Sequence, residues 1–250
     1  MNNYEFCAEF AAKRGGCVLD YGCGEGRIVD LLRRWNVDAY GCDVFYEGGD
    51  YSQGVPKNLM ESGRVRRMEK RRIPFEDETF DVVVHNQVFE HVPDLDLALS
   101  EIARVLKPGG VMLGLFPDRS VWREGHCGVP FLHWFSKGSN TRVYYAFAFR
   151  LVGFGYFHGA KTRMRWSRDF CDWLDKWTYY RSYRDIREAF SNHFAPPVHI
   201  EAKWLDARLG TIARFVPKTV KSATVRRLAG MVLWCEKKHT TGGQSQVMDA

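Results

Sequence analysis

The segment Val18-Leu19-Asp20-Tyr21-Gly22-Cys23-Gly24-Glu25-Gly26 constrains the fold more than any other part of the chain. A short apolar run, Cys17 to Asp20, leads into glycines at alternate positions. Helical spacing then follows from Glu25 to Trp35, with Ile28, Leu31 and Leu32 on one face. Strand, glycine turn and helix together let a ligand approach the backbone closely, because glycine adopts dihedral angles that a Cβ forbids. The spacing then separates two kinds of ligand. A dinucleotide fingerprint would place its third glycine at position 27, which is Arg27. An acid, Asp20, stands two positions ahead of the first glycine instead. A carboxylate facing such a pocket repels a pyrophosphate and attracts an ammonium, so the loop suits a cofactor without phosphates.

The following stretch repeats the alternation of strand and helix. Asp38–Asp43 reads as a second strand, Val65–Met68 as a third and Phe80–His85 as a fourth, the last rich in β-branched residues. Asp94–Leu106 carries apolar residues at 95, 99, 102, 105 and 106 and stops at Pro108-Gly109-Gly110, so it is a helix. Val111–Phe116 is a fifth strand, closed by Pro117. This rhythm predicts an α/β fold with a parallel, doubly wound sheet. Asp43, ending the second strand, stands where such folds keep an acid for ribose hydroxyls.

Residues 118–197 lack the rhythm and are rich in Trp, Tyr, Phe and Arg. Such an insertion after the fifth strand lies where α/β enzymes carry substrate-binding elements. Helices are expected over Ser167–Trp177 and Tyr183–Phe190. In the first, Phe170, Trp173, Leu174 and Trp177 have the spacing of a face packed on the core. Two late strands are expected at Val198–Leu205 and Met231–Glu236. One domain over residues 1–239 follows, with a cofactor core at 15–117, a substrate insertion at 118–197 and C-terminal strands at 198–239. Residues 240–250 have little to bury and read as a disordered tail.

Composition narrows the class further. At 45% hydrophobic residues the body of the chain is globular. No apolar run reaches the roughly 18 residues of a membrane span, and the N-terminus lacks the pattern of a secretory signal. The cysteine count is odd, at seven, and no Cys-x-x-Cys pair occurs. Reduced thiols in a cytoplasmic protein are expected, and a metal site is not. Between Glu201 and Lys238 nine Lys or Arg face three Asp or Glu, which accounts for the net charge of +6. A basic face there suits nucleic acid, peripheral contact with an anionic membrane, a phosphorylated or otherwise anionic acceptor, or a solvated surface.

The motifs occur in a telling order: Val18–Arg27, Gly41-Cys42-Asp43, Ile73–Asp81, Glu90-His91-Val92 and Arg104–Gly110. Together they resemble the class I S-adenosylmethionine-dependent methyltransferases, especially the broad type 11 group, over about residues 15–117. The resemblance implies a Rossmann-like, seven-stranded sheet and S-adenosylmethionine as cofactor. Asp20, Gly22, Gly24 and Gly26, with Cys23 among them, would line its methionine half, and Asp43 would take the ribose hydroxyls. Glu69 matches the acid that meets the adenine, although Met68-Glu69-Lys70 replaces the usual Gly-Asp-Ala. Asn86 and Gln87 match positions near the transferred methyl.

The acceptor side rests on histidines. A hydroxyl acceptor loses its proton as the new bond forms, and histidine is the usual base near neutrality. His85, His91, His126 and His133 all fall near the expected mouth of the sheet. His126, within Glu124-Gly125-His126-Cys127-Gly128-Val129-Pro130-Phe131-Leu132-His133-Trp134, and His91 are the catalytic candidates, against plainer roles as a turn cap and a packing residue. His85 ends a strand and reads as structural or as part of the cofactor wall. The segment 124–134 is similar to one in bacterial methyltransferases acting on sugars or surface glycans, which implies a sugar-hydroxyl acceptor in polysaccharide biosynthesis. A small aromatic or quinone-like acceptor is the alternative, and a non-catalytic cofactor-binding scaffold is a third reading. His85-Asn86-Gln87-Val88 stands where base-directed enzymes carry Asn-Pro-Pro-Tyr, so no nucleic-acid acceptor is expected.

Overall fold

The computed structural model describes residues 1–238. In chain order its elements are α1 (Asn3–Arg14), β1 (Val18–Tyr21), α2 (Arg27–Arg34), β2 (Ala39–Asp43), α3 (Lys57–Glu61), β3 (Val65–Arg67), β4 (Phe80–Asn86), α4 (Leu95–Val105) and β5 (Leu106–Phe116). There follow α5 (Asn140–Leu151), α6 (Arg163–Trp177), α7 (Tyr183–His193), β6 (Val198–His199), α8 (Glu201–Leu209), α9 (Lys218–Leu228) and β7 (Met231–Glu236). The expected tail at 240–250 lies outside the described residues.

The strands form one seven-stranded sheet in the order β3-β2-β1-β4-β5-β7-β6. The first five are parallel, as the strand–helix rhythm requires. The sheet as a whole is mixed, however, because β7 runs antiparallel to β5 and β6 antiparallel to β7. Gly230 shows how the reversal is made. Its φ is 106°, and a Cβ there would lie 2.5 Å from the carbonyl oxygen of Phe116. The chain thus enters β7 close beside the end of β5, where Met231 pairs with Phe116.

The two faces of the sheet bury separate apolar layers. Val18, Val82, Val84, Leu113 and Val232 pack with α1, α2, α8 and α9. Leu19, Val83, Met112 and Leu233 pack with α4 and α7. Both faces are covered, which explains why β1 and β4 read as continuous apolar runs. The insertion has a small cluster of its own, made by Cys127, Val129, Leu132, Ala146, Trp166, Cys171 and Leu174. Buried Arg142 of α5 pairs with Asp175 of α6 across it.

Two local expectations change, and one helix is added. The strand expected over Val198–Leu205 is only Val198–His199, and Glu201–Leu209 is helical. The alternating apolar residues Ile200, Ala202 and Trp204 mimic a strand, but Trp204 N donates to Ile200 O and its indole reaches Asn3 on α1. Helix α1 itself escaped the pattern reading. Its start is marked by a capping box in which Asn2 and Glu5 each accept a hydrogen bond from the other's backbone N–H. Helix α6 begins at Arg163, capped by Thr162, a turn earlier than its apolar spacing suggests. All seven cysteines are free thiols.

His85 is packed inside the sheet. It lies on β4 opposite Gly114 of β5, fully buried, with its ring centroid 3.7 Å from that of Phe89. A Cβ at Gly114 would meet its Nε2 at 2.4 Å, so glycine is what makes room for the imidazole. Burial lowers its pKa to about 3. In the unfolded chain it titrates near 6.5, so the neutral ring favours the fold above that pH. This contribution is lost as pH falls from 6.5 towards 3. Denaturant unfolding should therefore show stability falling across this window, with a shallower fall in His85→Leu. Gly114→Ala should cost about 1–3 kcal/mol, and less in a His85→Ala background. An equal cost in both backgrounds would contradict the close fit.

Candidate active site

The carboxyl ends of β1, β2 and β4 bring most of the expected cofactor residues together. Gly22, Gly24 and Gly26 all adopt left-handed backbone, with φ of 72°, 52° and 73°. Gly22 N and Cys23 N both donate to Cys42 O on β2, folding the loop over the sheet edge. A Cβ on Gly22 would come within 2.6 Å of the Val88 side chain, whereas Gly24 has nothing closer than the Tyr51 ring at 3.9 Å. The loop is thus pressed against the segment after β4 at one glycine and open at the next.

Asp43 accepts hydrogen bonds from Gly24 N and Phe45 N, both at 2.8 Å, one on each carboxylate oxygen. Each oxygen keeps a further lone pair for a ligand hydroxyl. Asp20 is buried at the end of β1, and burial, reinforced by Asp43, raises its pKa well above the usual carboxylate range. Asn86 accepts from Asn3 Nδ2 at 3.1 Å, so α1 also braces this edge. Gln87 is exposed, with left-handed backbone (φ 57°), and its N–H donates to Leu115 O. Two expected residues fit less well. The Cys23 side chain packs into the core against Gly41, so only its backbone faces the loop. Glu69 is exposed in the turn Glu69–Arg72, just past the end of β3.

The acceptor-side residues converge more tightly than their sequence positions suggest. His91 sits in the turn after β4 and His126 in the insertion, yet their Nε2 atoms lie 3.0 Å apart. His91 Nδ1 is 2.8 Å from the carbonyl of Trp177, and His126 Nδ1 is 2.6 Å from Glu124 Oε1. Glu124 is fully buried and also accepts from Tyr180 Oη (2.7 Å) and Cys127 N (2.8 Å). Burial alone would raise this carboxyl, but the hydrogen bonds and charge of its neighbours outweigh it and lower its pKa to about 2. Burial disfavours the His126 imidazolium, yet Glu124 and Glu90 outweigh burial and raise its pKa. His91 goes the other way, down to about 4, through burial and the adjacent His126. Glu90 is buried, and burial pushes it up to about 7.

His126, Tyr180, Gln87, Pro117, Val121 and Arg123 line a cavity of about 280 Å³. One residue expected beside the cofactor and one expected beside the acceptor therefore share a wall. Trp173 packs on the site rather than on the core alone, its ring 5.1 Å from His126 and 6.0 Å from His91. His133 is buried against the Tyr180 ring. Sequence reading had passed over Glu90, Glu124 and Tyr180 as site residues. The two acids adjoin the chosen histidines, as Glu90-His91 and Glu124-x-His126, and an acid beside a candidate base was the available signal. The basic face is partly neutralised, since Lys221 pairs with Asp206 and Arg226 with Asp118.

Residues 19–114 match the model of a family described as a methyltransferase domain. The match runs from the glycine loop to the fifth strand, and the sheet has the Rossmann-like α/β fold of methyltransferases. It is 29% identical to the ubiquinone biosynthesis O-methyltransferase of Bartonella tribocorum over 128 residues, 49% of this chain and 51% of that protein. A probable S-adenosylmethionine-dependent methyltransferase of Mycolicibacterium smegmatis is 36% identical over 118 residues, 44% of this chain and 42% of its own length. The chain thus spans about half the length of the curated relatives it matches. A solved S-adenosylmethionine-dependent methyltransferase from Mesorhizobium loti shares the methyltransferase fold, with a TM-score of 0.52 at 15% identity over 94% of this chain and 100% of that one.

The electrostatics of the domain's histidine pair give a direct test. Glu124→Gln removes the negative charge that raises His126, so the His126 pKa should fall. NMR titration of the histidine side chains in chelator-treated protein measures it. An unchanged His126 pKa would mean that Glu124 does not set its charge.

Proposed function

We propose that the chain transfers a methyl group from S-adenosylmethionine to an oxygen of a small-molecule acceptor. The observation that carries this reading is the shared wall where Gln87, beside the glycine loop, meets His126 on one cavity. S-adenosylmethionine suits the loop: Asp20 is a buried acid for its ammonium, Gly24 leaves backbone open, and Asp43 retains lone pairs for ribose hydroxyls. Asn86 and Gln87 would flank its methyl-bearing end. Bound there, the cofactor supplies a methyl group already activated on a sulfonium. The protein's task is then to hold the acceptor in line and to handle its proton. His126 lines the acceptor wall, with Nδ1 fixed by Glu124 and Nε2 turned to His91.

Two features support a small, largely apolar acceptor of aromatic or quinone-like type. Pro117, Val121, Tyr180, Leu228 and Ala229 form much of the cavity wall, and the Bartonella tribocorum relative is an O-methyltransferase of ubiquinone biosynthesis. The sugar-hydroxyl reading draws its support from Arg123 on the same wall, which would pair with an anionic carrier.

Transfer of labelled methyl into source-cell extract, separated into apolar, nucleotide-sugar and macromolecular fractions, distinguishes the acceptors. Label in the apolar fraction is expected; label confined to nucleotide sugars would move the acceptor to the second reading. Asp43→Ala should weaken cofactor binding by at least about tenfold, the worth of one or two hydrogen bonds. His126→Ala should bind the cofactor as wild type does while turnover falls about 10²–10⁴-fold. Full turnover in His126→Ala would remove it from the acceptor site.

A further inference from the structure

We propose that Glu90, His91 and His126 bind one divalent transition-metal ion of the zinc type on the wall of the acceptor cavity. One donor atom from each of the three lies within 4.8 Å of the others. The hydrogen bonds behind the two rings carry the argument. The Trp177 carbonyl can only accept, so Nδ1 of His91 carries the hydrogen and its Nε2 holds a lone pair. Glu124 accepts from Tyr180, Cys127 and His126, so Nδ1 of His126 is also a donor. In neutral rings both Nε2 lone pairs then face each other across 3.0 Å. Such an arrangement needs a positive species there, either a proton on one ring or a metal ion.

Glu90 decides between the two. It is 1% exposed, and neither carboxylate oxygen has a hydrogen-bond partner among the described residues. A proton held between the histidines leaves this buried carboxylate without a ligand of its own, which is costly. A cation bound by all three satisfies the lone pairs and the carboxylate together. The Trp177 carbonyl and Glu124 then act as the partners that typically orient ligating histidines through the remote ring nitrogen. Two imidazoles and one carboxylate suit zinc, or cobalt in its place, over magnesium or calcium, which prefer all-oxygen sites. Three protein ligands also leave a position for water or an acceptor oxygen, and His126 already faces the cavity. Only this last placement rests on the proposed methyl transfer; binding of the ion does not.

The test uses the full chain, stripped with a chelator and titrated with Zn²⁺ by calorimetry and with Co²⁺ by visible absorption. One ion per chain is expected, with the intense d–d bands of four- or five-coordinate Co²⁺. Glu124→Gln should weaken binding about 10–100-fold, and His126→Ala or His91→Ala should weaken it more. His158→Ala, an exposed histidine outside the cluster, should bind as wild type does. Thermal unfolding and S-adenosylmethionine affinity, measured on the same variants, show that each is folded. They also keep failure of the metal site distinct from failure of the cofactor reading. Absence of saturable one-to-one binding in the wild type would overturn the proposal. So would wild-type affinity in folded His126→Ala and His91→Ala.

Discussion

The approach of Gly22 to Val88 joins the two halves of this site. The loop after β1 and the segment after β4 belong to adjacent parallel strands, so their ends open on the same edge of the sheet. Only a residue without a Cβ lets them touch, since a Cβ on Gly22 would stand 2.6 Å from the Val88 side chain. Through that contact the glycine loop on one side and Asn86 to His91 on the other hold a fixed relation. The cavity lined by Gln87 and His126 is the outcome.

On this frame the domain concentrates buried charge. Asp20, Glu90 and Glu124 are each at most 2% exposed, and burying a carboxylate is costly unless it is protonated or paired. The three are treated differently. Glu124 has three donors and stays ionised. Asp20 and Glu90 are pushed upwards by burial, which suits groups awaiting a positive partner. An ammonium at the first and a metal ion at the second would each supply it.

The sheet-forming half of the chain was legible because its physics is local. Apolar runs, the glycine spacing and the stop at Pro108-Gly109-Gly110 each act within a few residues. The direction of β7 was not legible, because it depends on where Gly230 meets Phe116 in space. Helix α8 was misread because alternating apolar residues suit either a strand or a helix packed on its neighbours. The cofactor candidates rest on motif positions, but the Cys23 side chain turns into the core and Glu69 lies exposed past β3. The acceptor side was half legible. His91 and His126 were singled out separately, but their meeting depends on how the insertion folds back over β4. The acids that fix them entered the reading only as neighbours in sequence.

The most direct test of this account is calorimetric titration of the full chain with S-adenosylmethionine and, separately, with NAD. The buried acid at Asp20 and the open backbone at Gly24 predict one S-adenosylmethionine per chain, displaced by S-adenosylhomocysteine, and no measurable binding of the pyrophosphate-bearing dinucleotide. Saturable binding of NAD with no binding of S-adenosylmethionine would contradict the assignment of the glycine loop and, with it, the function proposed for the chain.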